Sequence, residues 1–92
     1  MYIVLVYDVS QEENGARRWS RIFKICKKYL THIQNSVFEG ELDRAQYISL
    51  TTELNKYLLK DIDSCLVFYG RNNIWMKKEF ITKRLEDDDQ FL

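Results

Sequence analysis

The sequence predicts an α+β domain in which two helices cover one face of an antiparallel sheet, in the order β-α-β-β-α-β with an additional C-terminal strand. Three observations carry that prediction. Two runs rich in β-branched and aromatic residues, YIVLVY near the start and SCLVFY at residues 64–69, read as strands. Two segments between them repeat apolar residues at helical spacing. The stretch between those helices, residues 31–43, holds β formers without helical periodicity and has room for two short strands. Ninety-two residues supply one core, so the chain reads as a single domain, residues 1–81 forming its body and 82–92 a tail.

Tyr2 to Tyr7 is apolar at every position, the pattern of a central strand covered on both faces. Ser10-Gln11-Glu12-Glu13 offers a capping box, but Asn14-Gly15 favours a turn, which places the helix start near Ala16. That helix runs to about Tyr29, with Trp19, Ile22, Phe23, Cys26 and Leu30 as its buried stripe. Residues 31–43 are predicted as a hairpin turning at Asn35-Ser36, with Glu39-Gly40 as the other candidate turn. Asp43 with Gln46 signals the next helix, which runs from Arg44 to about Leu59 with Tyr47, Leu50, Leu54 and Leu58 inward. Ser64 to Tyr69 is a strand, Gly70-Arg71-Asn72-Asn73 a turn, and Ile74 to Ile81 the additional strand. This is the order of a ferredoxin-like fold. One sheet face is then left bare. Tyr2, Val4, Val6 and their neighbours on the fourth strand form a large apolar surface there, so a second copy of the chain is expected to cover it.

The 14 basic and 14 acidic side chains cancel, so the total charge does not point to nucleic acid. Their distribution does. Residues 11–30 carry a net of +4, residues 31–64 a net of −3 and residues 65–85 a net of +4. Arg17, Arg21, Lys24 and Lys28 fall on one face of the first helix, with Arg18 at its side, and no acid occurs between Asn14 and Gln34. An ordinary solvated face mixes its signs, so this one reads as a phosphate-binding row, which Lys77 and Lys78 could extend. No apolar stretch approaches the ~20 residues of a membrane span, and no basic stretch precedes an apolar run as in a secretion signal. Cys26 and Cys65 lack metal-ligand spacing and sit in apolar runs, which reads as two reduced core thiols in a cytoplasmic protein.

Asp8 ends the apolar first strand. Two readings are open: a loop residue bonding nearby backbone N–H groups, or a ligand for a hard cation. Mg²⁺ asks for oxygen ligands and usually one or two carboxylates. A two-fold dimer packed through the bare faces brings two Asp8 carboxylates to the axis. His32, the single histidine, is a weak catalytic candidate, and Ser10 and Ser36 read as cap and turn. Glu12 and Glu13 suit a helix N-terminus. Trp19 and Trp75 read as core or interface rather than base-stacking residues, and the EDDD run at 86–89 as a solvated tail.

The opening MYIVLVYDVS, the helix start ARRWSRIFK, the stretch YLTHIQNSVFEGEL (especially Gln34, Ser36, Phe38, Glu39 and Gly40) and DSCLVFY together resemble the CRISPR-associated protein 2 family over essentially the whole chain. The resemblance implies a ferredoxin-like homodimer joined through its sheet faces, with Asp8 as the proposed metal-binding and catalytic aspartate and Mg²⁺ as its cation. It further implies a role in spacer acquisition, bridging the CRISPR integrase (CRISPR-associated protein 1) and supporting double-stranded DNA. Metal-dependent endonuclease activity on RNA or double-stranded DNA is also described in the family. The competing reading is a noncatalytic ferredoxin-like RNA-binding or toxin-type module, which would carry aromatics on a solvent-facing sheet.

Overall fold

A computed structural model of the chain describes residues 1–71 and 77–82. Its elements are β1 (Tyr2–Asp8), α1 (Gly15–Tyr29), β2 (Thr31–Gln34), β3 (Val37–Glu41), α2 (Arg44–Leu54) and β4 (Ser64–Gly70). The sheet order is β2-β3-β1-β4 and every pairing is antiparallel, as a ferredoxin-like fold requires. β1 is central, between β3 and β4, which explains why it is apolar at successive positions. The β2–β3 hairpin turns at Asn35-Ser36, and Asn35 takes φ 42°, a left-handed conformation that asparagine tolerates.

Alternation sends Ile3, Leu5 and Tyr7 toward the helices and Tyr2, Val4, Val6 and Asp8 to the other side. The core forms where Ile3, Leu5 and Phe38 meet Ile22, Cys26 and Leu50. Each buried Ile, Leu or Phe among them contributes about 1.5–3 kcal/mol by leaving water. α1 is rotated from the expected stripe. Ile22, Cys26 and Leu30 are buried and Phe23 half-buried as anticipated, but Arg18 and Ile25 are buried as well, while Trp19 is 41% exposed.

The two helices start differently. α2 opens on the predicted capping box: Gln46 N–H donates to Asp43 Oδ1 at 2.7 Å, and Asp43 N–H donates to Gln46 Oε1 at 2.9 Å. Ahead of α1, Asn14 takes φ 61° and its side chain makes no cap bond. Ser10 Oγ instead accepts from Glu12 N–H at 3.1 Å within the loop. α1 then begins at Gly15, where a Cβ would stand 2.3 Å from the Ser10 carbonyl oxygen. α2 ends at Leu54 rather than near Leu59, because the chain turns beyond its C-cap Asn55. Leu50 and Leu54 are buried, and Tyr47 and Leu58 pack against the core as expected.

Cys26 is buried but Cys65 is exposed, because β4 is an edge strand whose helix-facing side the shortened α2 leaves largely uncovered. The additional strand expected over Ile74–Ile81 falls partly on residues 74–76, outside the described residues. Residues 77–82 form no strand; they cross the open sheet face above Val4, Ile33 and Val37, where Lys78 pairs with Glu39. A strand needs a sheet edge beside it, and this path lies over a face instead. Beyond that cover, Leu66 and Phe68 remain 53% and 52% exposed on the same face.

Candidate functional site

Asp8 is the last residue of β1 and is exposed. Its cross-strand partner is Ser64, the first residue of β4. Strand alternation puts Asp8 in line with Tyr2, Val4 and Val6 at the edge of the open apolar face. Among the described residues no three His, Cys, Asp or Glu side chains gather where a metal could be held. One chain therefore offers Asp8 as a single hard oxygen donor, a fit for a divalent cation only when a second carboxylate is brought to it.

The loop after Asp8 is held from below. Arg18 is buried. Its Nε donates to the Glu13 carbonyl at 2.8 Å, and Nη2 donates to the carbonyls of Glu12 at 2.9 Å and Ser10 at 3.1 Å. Nη1 reaches the Tyr57 carbonyl at 3.4 Å and forms an ion pair with Asp63. Asp63 in turn accepts from Ser10 N–H at 2.9 Å and Leu59 N–H at 2.7 Å. Burial alone would raise the Asp63 pKa, but these N–H donors and the guanidinium outweigh it and hold the carboxyl below its ordinary value.

That arrangement removes Arg18 from the predicted phosphate-binding row, since its donors are already satisfied inside the protein. Arg17, Arg21, Lys24 and Lys28 are exposed, as the helical spacing required. Arg21, Lys24 and Lys28 line the crevice between α1 and α2, a groove of about 290 Å³ completed by Glu53 and Lys56, while Arg17 lies outside it. Lys28 pairs with Glu53, which also accepts from the Tyr29 hydroxyl. The hydrogen bond to Glu53 raises the Lys28 pKa, and Lys28 followed by Tyr29 lowers that of Glu53. Lys56, Glu53 and Asp63 carry no sequence signal for these places, because each enters from another segment.

His32 lies on the helix-facing side of the sheet, its ring 4.9 Å from those of Phe23 and Phe38 and its Nε2 2.8 Å from the Asn35 carbonyl oxygen. It is an aromatic-core residue remote in orientation from Asp8. Lys77 and Lys78 lie over the open sheet face and do not extend the α1 row. Ser10 and Ser36 serve the loop and the hairpin turn, the Ser36 carbonyl accepting from Tyr7 N–H at 3.2 Å. The Tyr7 hydroxyl is buried beside Ser36, and burial raises its pKa well above the usual tyrosine value. Trp75 and residues 86–89 lie outside the described residues. No helix among the described residues is long and apolar enough to cross a membrane.

A family model described as CRISPR associated protein Cas2 matches residues 1–78. A CRISPR-associated endoribonuclease Cas2 of Fusobacterium nucleatum is 50% identical over 92 residues, covering 100% of this chain and 87% of that protein. CRISPR-associated endoribonuclease Cas2 2 of Moorella thermoacetica is 33% identical over 91 residues, 98% of this chain and 100% of that one. Among solved structures, Streptococcus pyogenes Cas2 superposes with a TM-score of 0.74 at 27% identity, over 87% of this chain and 99% of its own.

Proposed function

The chain belongs to the CRISPR associated protein Cas2 family, and within it we propose a homodimeric, magnesium-dependent endonuclease with Asp8 as its metal ligand. The observation that carries this reading is the position of Asp8, an exposed carboxylate at the end of the open apolar row. Packing two copies through the part of that face which residues 77–82 leave uncovered buries Leu66 and Phe68, removes a surface a monomer should not keep, and moves two Asp8 residues toward one axis. Unbound, the paired carboxylates repel each other. A cation held between them would activate water and stabilise charge on a phosphodiester. Arg17, Arg21, Lys24 and Lys28 bind the phosphate backbone by charge, without reading sequence.

The endoribonuclease names of the relatives favour RNA as the cleaved substrate. The wider role is spacer acquisition: the dimer supports double-stranded DNA and bridges the CRISPR integrase, CRISPR-associated protein 1, in the cytoplasm. The noncatalytic RNA-binding reading draws on one observation, Phe68 exposed on the open face as a stacking platform would be.

Wild type and Asp8→Ala separate these readings. Magnesium-dependent cleavage of single-stranded RNA should fall by at least about 100-fold in Asp8→Ala, since removing a ligand costs no less than disturbing a group behind it, while nucleic-acid affinity and the dimer persist. Spacer integration with the integrase partner, assayed on the same pair, shows whether scaffolding survives without the carboxylate. A stable monomer in sedimentation, or unchanged cleavage, overturns the shared metal site.

A further inference from the structure

We propose that Arg18 and Asp63 are positioning residues for Asp8, an inference that rests on the reading of Asp8 as a metal ligand. Asp8 sits where two segments meet. The loop of residues 9–14 continues from it, and Asp63 directly precedes its cross-strand partner Ser64. One buried ion pair ties both segments together, with side-chain exposures of 9% for Arg18 and 1% for Asp63.

Ser10, two residues past Asp8, is gripped from both sides. Its N–H donates to Asp63 Oδ1 at 2.9 Å, and its carbonyl accepts from Arg18 Nη2 at 3.1 Å. The same guanidinium holds the Glu12 and Glu13 carbonyls. Just before α1, Glu13 takes φ 52°, a left-handed conformation costly for a glutamate, followed by Asn14 at φ 61°, which asparagine tolerates. Such conformations persist only where surroundings over-determine them. Arg18 supplies those surroundings by binding the Glu13 and Glu12 carbonyls, and Asp63 holds Arg18 in place.

A buried ion pair is a poor source of net stability, because desolvation offsets most of the attraction. Geometry is what this one supplies. Asp8 is exposed and last in its strand, so its own contacts hold it weakly. Two mutually repelling carboxylates must nevertheless converge on one cation, and small misplacements of a reacting group cost rate steeply. The pair sets the backbone on either side of that carboxylate.

The test uses the full chain, with Mn²⁺ as a spectroscopic probe of the cation site. In Asp63→Asn, which keeps an acceptor for Ser10 N–H but loses the charge, Mn²⁺ affinity should weaken about tenfold, the usual effect of disturbing a group behind a metal ligand. The kcat for RNA cleavage should fall in parallel, KM and RNA affinity should stay within about twofold, and Ser10 amide exchange should quicken. Arg21→Ala should do the reverse, weakening RNA affinity and leaving Mn²⁺ affinity intact. If Asp63→Asn does not fold, Arg18→Lys decides, since it keeps the charge and loses the fork that spans the Ser10, Glu12, Glu13 and Tyr57 carbonyls. A folded variant of either kind with wild-type Mn²⁺ affinity and kcat overturns the proposal. Should Asp8→Asn bind Mn²⁺ as wild type does, the Asp8 reading falls first and takes this one with it; should only wild type bind, the pair alone is on trial.

Discussion

The two helices of this domain begin in opposite ways. α2 is capped by its own sequence: Asp43 and Gln46, three residues apart, satisfy each other's backbone N–H groups. α1 has no side-chain cap, and the loop before it is held by Arg18 from within the helix and by Asp63, 53 residues beyond Ser10. The first start is local and modest in energy. The second is non-local, buried and strained, and it stands beside the candidate metal ligand. Conformational strain concentrates where function needs a defined backbone, and a defined backbone is what the proposed metal role of Asp8 asks of the β1–α1 junction.

The sharpest way to break this comparison is Arg18→Met. It leaves Asp63 as an uncompensated buried charge and frees the carbonyls of Ser10, Glu12 and Glu13, so chemical denaturation should show a loss of about 3–5 kcal/mol. Gly15→Ala comes next. Its Cβ meets a backbone oxygen, which cannot swing aside as a side chain would, so the loop must shift at a cost of about 1–3 kcal/mol in the same measurement. Asp43→Ala should cost about 1 kcal/mol, the ordinary value of an N-cap, and should leave Mn²⁺ binding untouched.

The smallest effect is a pH dependence. The Asp63 pKa is lowered by folding, so its contribution is complete above the ordinary aspartate value of about 3.9 and is lost as pH falls through the lower folded value. The difference in melting temperature between wild type and Asp63→Asn should therefore be constant from neutral pH to about 5 and narrow on further acidification. A gap that widened in acid would contradict the depressed pKa.

Much of the architecture is legible along the chain because its causes are short-range. Alternation and apolar runs mark β1 and β4. Asn35-Ser36 marks the hairpin turn, and Asp43 with Gln46 marks the start of α2. Asp8 stands out as a carboxylate closing an apolar strand. The basic row was readable too, since Arg17, Arg21, Lys24 and Lys28 share a face by helical spacing alone. Arg18 was read with that row because spacing places it at the row's side. Its true partner, Asp63, has no local signature.

The sequence by itself determined the order of elements, the hairpin, the α2 cap and the exposed end of β1, because each depends on residues within a few positions of one another. Tertiary structure alone decided which flank of α1 meets the sheet. Each residue turns the helix by about 100°, so a modest rotation of α1 over β1 exchanges the fates of neighbours, burying Arg18 and turning Trp19 outward. It also decided where α2 stops, leaving Cys65 exposed on the edge strand. The open sheet face and the Arg18–Asp63 pair exist only after residues far apart in the chain have been packed together, and no local pattern encodes that meeting.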